Sequence, residues 1–89
     1  MKEKFLIRMM TWEKEKDYPT MIKAFHSEKI TELLNLYLVA KSNNIPISIP
    51  VEEDGESKFD GHKAYVDEIG ITFGGHEAIT CLNIYVEVV

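Results

Sequence analysis

The distribution of glycine constrains this fold more than any other feature of the sequence. All five glycines of the 89-residue chain lie between Gly55 and Gly75. Because glycine readily adopts the positive φ angles of tight turns, we predict turn-rich β structure in the second half and longer elements in the first. No linker or low-complexity stretch separates the halves, so we expect a single α+β domain over residues 1–89.

The strongest helical pattern runs from Ser27 to Ser42. Ser27 is the predicted N-cap, and the charge of Glu28 suits the positive end of the helix dipole. The apolar residues that recur at the spacing of one helix face are Ile30, Leu33, Leu34, Tyr37 and Leu38. We expect Asn43 and Asn44 to end the helix, since asparagine tolerates the left-handed conformation of a C-cap.

Three further apolar residues, Leu36, Val39 and Ala40, widen this stripe beyond one helix face. We therefore expect the helix to be covered on two sides, by its own sheet and by either the N-terminal segment or a second chain. Leu36 and Val39, together with Met10 and Trp12 near the amino terminus, form the predicted apolar interface. The alternative is that the methionine and tryptophan side chains belong to the core.

Apolar alternation predicts strands on both sides of the helix. The first strand covers residues 4–12. Residues 18–26 favour a helical or irregular segment opened by Pro19, with a short strand as the alternative. In residues 45–51 the branched apolar residues alternate with Pro46, Ser48 and Pro50, and the two prolines, four residues apart, remove two hydrogen-bond donors from one side. This strand is therefore predicted at an edge of the sheet.

The second half of the chain reads as a β-meander. Asp54-Gly55 is a hairpin signal, residues 62–73 form one strand or two with a bulge or bend at Gly70, and Gly74-Gly75 makes the next turn. Residues 79–89 form the last strand, with Leu82, Ile84, Val86 and Val88 on one face and Cys81, Asn83, Tyr85 and Glu87 on the other. The predicted architecture is α+β. It consists of an N-terminal strand and one long amphipathic helix packed on a small, strongly bent antiparallel sheet or an SH3-like or Sm-like barrel.

Charge is distributed unevenly along the chain, whose formal net charge is −5. A negative chain lacks the basic face that contacts phosphates, so we expect no direct binding of nucleic acid. The predicted partner-binding surface is an acidic rim made of Glu52, Glu53, Asp54, Glu56, Asp60, Asp67 and Glu68. Such a rim would either steer the protein onto a basic partner, such as the nucleic-acid groove of another protein, or simply keep it soluble.

The sequence shows no catalytic or cofactor-binding motif. Cys81, the single cysteine, lies in a strand pattern without a neighbouring base, and its lack of a disulfide partner favours a reducing compartment. His62 and His76 share the pattern F-x-G-H-x-A, which would suit metal ligands, but two histidines alone rarely hold a metal. No apolar run suits a membrane span or a secretion signal. We expect a cytoplasmic, non-enzymatic protein without metal or cofactor.

The order of elements resembles the YolD-like family of small bacterial proteins and, second, the small barrels of WYL-type domains. The segments that carry the resemblance are the helix over 27–42, N-N-x-P-I-x-I over 43–49, D-G at 54–55, F-x-G at 59–61, Asp67, and I-x-x-L-N-I over 79–84. The resemblance implies a non-enzymatic accessory protein, bacterial or from a phage or other mobile element, in a setting linked to the DNA-damage response. It supplies no catalytic residues.

These observations together predict a small intracellular accessory or regulatory protein that acts by binding another protein. The alternative is an acidic inhibitor that blocks the nucleic-acid-binding groove of a host protein. A third hypothesis, which we disfavour, is a metal or small-molecule sensor using His62 and His76. A homodimer formed through the helix or the first strand is compatible with each of them.

Overall fold

The computed structural model describes residues 5–51, 59–74 and 79–89. The elements along the chain are β1 (Phe5–Thr11), β2 (Thr20–Ser27), α1 (Ile30–Asn43), β3 (Ile47–Ser48), β4 (Lys63–Gly74) and β5 (Ile79–Val88). The strands form one five-stranded sheet in the order β2-β1-β5-β4-β3. Over the residues described, the protein is thus a small α+β structure with one helix and a curled, half-barrel sheet.

The sheet is mixed, which corrects the predicted antiparallel arrangement. β1 pairs antiparallel with β2 but parallel with β5, and the pairs β4–β5 and β3–β4 are antiparallel. Parallel neighbours need a long connection, and the chain between β1 and β5 includes the helix. A hairpin-by-hairpin interpretation of the sequence gives only antiparallel pairs, so it misses this one. β5 is the central strand, and β2 and β3 are the two edges.

Residues 20–27 form strand β2, so the predicted helical or irregular segment over 18–26 is wrong and its strand alternative is confirmed. The pairing of β2 runs from Phe5 opposite Ser27 to Thr11 opposite Thr20. This cross-strand pairing, rather than the local propensity of the segment, decides its conformation. A bulge interrupts the register opposite Met9 and Met10 and leaves two consecutive residues, Ile22 and Lys23, both buried.

Helix α1 begins at Ile30, three residues after the predicted N-cap. Ser27 is the last residue of β2, and its hydroxyl oxygen accepts a hydrogen bond from the Lys29 amide at 3.0 Å, which shapes the turn into the helix. The predicted end is confirmed. Asn44 adopts the left-handed conformation, with φ 52° and ψ 45°, and the following Ile45 amide donates to the Ala40 carbonyl at 2.9 Å.

The hydrophobic core lies between α1 and one face of the sheet. Its helix residues are Tyr37 and Ala40. In β5, the residues predicted to share one face belong to this core, with Leu82, Ile84 and Val86 buried and Val88 packed beside them. The core residues from the other strands and the β3 segment are Ile7, Met9, Ile22, Ile47, Ile49, Ala64 and Val66. Burial of each large aliphatic side chain stabilises the fold by about 1.5–3 kcal/mol.

The edge position predicted for residues 45–51 is confirmed, but the strand itself is only Ile47–Ser48. Ile47 and Ile49 are buried, whereas Ile45 and Val51 are exposed, so the inward alternation holds only at the centre of the segment. The prolines on either side of β3 favour an extended chain but remove donors, which limits the length of the ladder.

Of the two alternatives for residues 62–73, one strand or two, the structure has a single strand, β4. Its irregularity lies between Val66 and Glu68, so the predicted bulge or bend at Gly70 is wrong. The extra residue at the bulge allows Val66 and Ile69 both to pack on the core. The predicted turns at Asp54-Gly55 and at Gly75 lie outside the described residues.

Candidate functional site

An apolar groove of about 460 Å³ lies between α1 and the segment Ile45–Pro50. Leu33, Leu36, Tyr37, Val39 and Ala40 form the helix wall of this groove. The opposite wall includes the aliphatic carbon atoms of Ile45, Pro46, Ile47 and Pro50. Concave sites of this size and composition commonly accept apolar ligands or apolar protein surfaces.

The helix wall follows from the periodicity of α1. Tyr37 and Ala40 point into the core and form the floor, while Leu36 and Val39 stand at the rim, each 54% exposed. Burial raises the pKa of the Tyr37 phenol above its ordinary value of 10.0, because the charged phenolate would lose its hydration. Tyr37 is therefore neutral at physiological pH.

The opposite wall is shaped by its two prolines. The Ile49 amide donates to the His62 carbonyl at 2.9 Å, and the Gly61 amide donates to the Ile49 carbonyl at 3.0 Å. Odd-numbered residues thus bond toward β4, and even-numbered backbone groups point toward the outer edge. Pro46 and Pro50 lack the N–H groups that this outer edge would otherwise present, as their spacing predicts. The groove therefore offers side chains rather than a backbone ladder to a ligand.

Ser48 places a polar atom in the groove wall. Its hydroxyl accepts a hydrogen bond from the ammonium group of Lys63 at 3.0 Å. This contact comes from β4, the strand paired with β3. An apolar ligand in the groove would therefore meet a hydroxyl that already has a hydrogen-bond partner.

The predicted apolar interface is divided between two surfaces. Leu36 and Val39 line the groove. Met10 lies on β1 opposite Met21 of β2, and Trp12 follows β1 with 58% of its surface exposed. Along β1, Met10 faces away from the buried Met9, so it belongs to the sheet face opposite the helix. The expected cover of α1 by the N-terminal segment is wrong for residues 5–11, which form a strand of the sheet.

The predicted acidic rim is described only in part. Glu52, Glu53, Asp54 and Glu56 lie outside the described residues. Asp67 and Glu68 are exposed at the bulge of β4.

Asp60 lies in a mostly buried ion pair, in which its Oδ1 atom is 2.8 Å from the Nζ atom of Lys23. The side chains of Lys23 and Asp60 are only 4% and 15% exposed. Lys23 was not singled out by the sequence, because the segment around it was predicted to be helical or irregular. Asp60 therefore differs from Asp67 and Glu68 in having a cation beside it and little exposure to a partner.

A polar network crosses the sheet face opposite the helix. The Arg8 Nε atom donates to Asn83 Oδ1 at 2.9 Å, and the Asn83 Nδ2 atom donates to Thr72 Oγ1 at 3.1 Å. These residues lie on β1, β5 and β4, so the network connects three adjacent strands. Neither Arg8 nor Asn83 was predicted as a site residue. The available signal was the single amide side chain of Asn83 within the apolar pattern of β5.

The remaining candidates from the sequence are single residues. Cys81 is a buried free thiol on β5. His62 is exposed, and its ring meets that of Phe59 edge-on with centroids 6.3 Å apart. His76 lies outside the described residues. Within 5–51, 59–74 and 79–89, no three side chains of His, Cys, Asp or Glu converge as they would around a metal ion.

None of the helical residues described forms a span long and apolar enough to cross a membrane. Comparison of the chain with protein-family models, with curated proteins and with solved structures gives no match.

Proposed function

We propose that this protein is a small, non-enzymatic accessory protein that binds a partner protein in the groove between α1 and Ile45–Pro50. The observation that carries the proposal is the exposure of Leu36, Val39 and Ile45 around one apolar groove of about 460 Å³. Large side chains that remain exposed together are typical of surfaces that a partner covers. The single cysteine favours a reducing cytoplasm for this encounter.

The groove fits the apolar face of an amphipathic helix from the partner. Addition of a β-strand beside β3 is disfavoured, because Pro46 and Pro50 remove two donors from the outer edge of that segment. A helix satisfies its own backbone and contributes only side chains, which is what a groove walled by carbon atoms accepts.

The expected energetics set the scale of the effect. Complete burial of one large aliphatic side chain contributes about 1.5–3 kcal/mol, and the rim residues are about half exposed, so each would contribute roughly 1 kcal/mol on binding. Truncation of one of them should weaken binding about fivefold to tenfold. A buried charge at the same position should be far more damaging, because it would lose its hydration without gaining a counter-charge.

The test uses a matched pair of valine variants. Val39 lies in the groove, whereas Val51 is also exposed but is not one of its lining residues. A partner captured by the wild-type protein should bind purified Val51→Glu with unchanged affinity and should not bind Val39→Glu. Equal binding of both variants would contradict the groove, and capture of neither a partner nor a second copy would contradict the function.

A second copy of the chain is the alternative occupant of this surface. Sedimentation velocity of the wild-type protein at two concentrations distinguishes the cases. If the sedimentation coefficient rises with concentration and Val39→Glu abolishes this rise, the groove is a homodimer interface. A sedimentation coefficient that stays at the monomer value leaves the groove to a different partner.

The second candidate function is an acidic inhibitor that blocks the nucleic-acid-binding groove of a host protein. The observation that favours it is the pair of consecutive exposed acids, Asp67 and Glu68, at the bulge of β4. This surface is distinct from the apolar groove, so charge reversal and groove variants separate the two functions. The resemblance to YolD-like proteins supports a bacterial or mobile-element accessory role for either one.

A further inference from the structure

Lys23 lies on one edge strand of the sheet, and Asp60 lies in a turn beside the opposite edge. β2, which carries Lys23, is the first strand in the sheet order, and β3 is the last. The turn that contains Asp60 is joined to the β3 segment, because the Gly61 amide donates to the Ile49 carbonyl at 3.0 Å. The sheet is therefore curled enough for residues at its two edges to meet, with 2.8 Å between the charged atoms.

The ion pair occupies a place where a closed barrel would have a backbone ladder. In the described sheet, β2 hydrogen-bonds to β1 and β3 hydrogen-bonds to β4, so the edges approach each other through side chains. A lysine at 4% exposure is costly to bury, and its position is maintained by the bulge that turns both Ile22 and Lys23 inward.

We propose that Lys23 and Asp60 form a latch that holds the half-barrel closed by tying edge strand β2 to the β3 segment. When the pair separates, the turn at Asp60 loosens, the hydrogen bonds made by the Ile49 and Gly61 amides open, and the β3 segment moves away from β2 while the paired strands β1, β5 and β4 stay in place. The β3 segment is also one wall of the apolar groove, so the latch sets the position of that wall. The latch itself does not depend on what the groove binds.

A latch explains the ion pair better than a contribution to stability alone. Buried ion pairs are on average no more stabilising than well-packed apolar residues of the same volume, whereas loss of one partner leaves the other charge buried without a counter-charge. An inward-pointing charge and a bulge are also two devices that discourage an edge strand from pairing with other chains, and β2 has both.

Native-state hydrogen exchange of the free protein tests the latch. In Lys23→Met, the amides of Ile49 and Gly61 should exchange at least tenfold faster than in the wild-type protein, after correction for any change shared by the β5 amides. The control is Lys16→Met, which removes the exposed pair between Lys16 and Glu13, also 2.8 Å apart. This control should leave both amides unchanged.

Two results would overturn the proposal. Acceleration by the same factor at Ile49, Gly61 and the β5 amides would show that the pair acts only on global unfolding. Unchanged exchange throughout would show that the pair holds nothing closed. If Lys23→Met does not fold, Asp60→Asn keeps the shape of the side chain but removes its charge, and the same two amides should again be accelerated more than the β5 amides. Because the readout needs no partner, it stands or fails separately from the proposed function.

Discussion

The polar network across the sheet gives the sharpest prediction for stability. The perturbation is Asn83→Ala, which removes both hydrogen bonds of a side chain that is 4% exposed. A hydrogen bond from a charged donor such as Arg8 contributes about 1.5–3 kcal/mol to the free energy of unfolding, and a neutral one such as that to Thr72 contributes about 1 kcal/mol. Arg8 is half-buried and Thr72 is exposed, so water recovers part of this loss. We expect the free energy of unfolding to fall by about 2–3 kcal/mol.

Urea unfolding followed by circular dichroism measures this change. For a domain of this length the melting temperature should also fall, by roughly 10–20 °C. Thr72→Val is the graded control, because it removes only the neutral hydrogen bond and should cost about 1 kcal/mol. A double-mutant cycle with Arg8→Met should give a coupling of about 1 kcal/mol between Arg8 and Asn83. A loss below about 0.5 kcal/mol for Asn83→Ala, the size of an ordinary surface substitution, would refute the reasoning.

Three further predictions address the cap, the groove floor and the acidic pair. Asn44→Val should lower the free energy of unfolding by about 1–2 kcal/mol because a β-branched residue resists the left-handed conformation, whereas Asn44→Gly should not; equal effects in urea unfolding would argue against the cap. Because the pKa of Tyr37 is raised in the folded state, the unfolded chain releases this proton first, so the contribution to stability is complete below pH 10 and is lost as pH rises through the folded-state pKa. In Tyr37→Phe the free energy of unfolding should therefore fall less steeply with pH above 10. An unchanged slope would contradict this prediction. Asp67→Lys combined with Glu68→Lys should leave the circular dichroism spectrum unchanged and abolish binding to a basic partner if the acidic inhibitor is correct; retained binding would remove that candidate.

The elements with strong local signals were predictable from the sequence. Asn44 ends the helix because few other residues adopt its backbone conformation at low cost. The alternation places Leu82, Ile84 and Val86 on one face of a strand wherever that strand lies in the sheet. The prolines at 46 and 50 predict an edge because a missing donor is a property of the residue itself.

Features that depend on distant partners were not predictable in the same way. Residues 20–27 become a strand because β1 lies beside them, and the parallel pairing of β1 with β5 depends on the path of the whole chain. The bulge at Asp67 reflects the need for Val66 and Ile69 to reach the same core.

The candidate site was predictable only in part. Leu36 and Val39 followed from the excess width of the apolar stripe on the helix. The second wall of the groove and the partner of Lys23 required three-dimensional proximity, since Lys23 and Asp60 are far apart in sequence and each looks like an ordinary surface charge. Met10 and Trp12 looked similar to Leu36 and Val39 by composition, but the pleat of β1 assigns Met10 to the opposite side of the sheet.

The central place of β5 has a consequence for biosynthesis. β5 is the last strand in chain order, yet it hydrogen-bonds to both β1 and β4, and Arg8 meets Asn83 across 75 residues. Until β5 leaves the ribosome, the hairpin of β1 and β2 has no neighbour on its other side, and the apolar surface of the helix has no complete sheet to cover. Folding with such a high contact order is slow and exposes aggregation-prone intermediates, so nascent chains of this protein should depend on holding chaperones more than a helical bundle of equal length would.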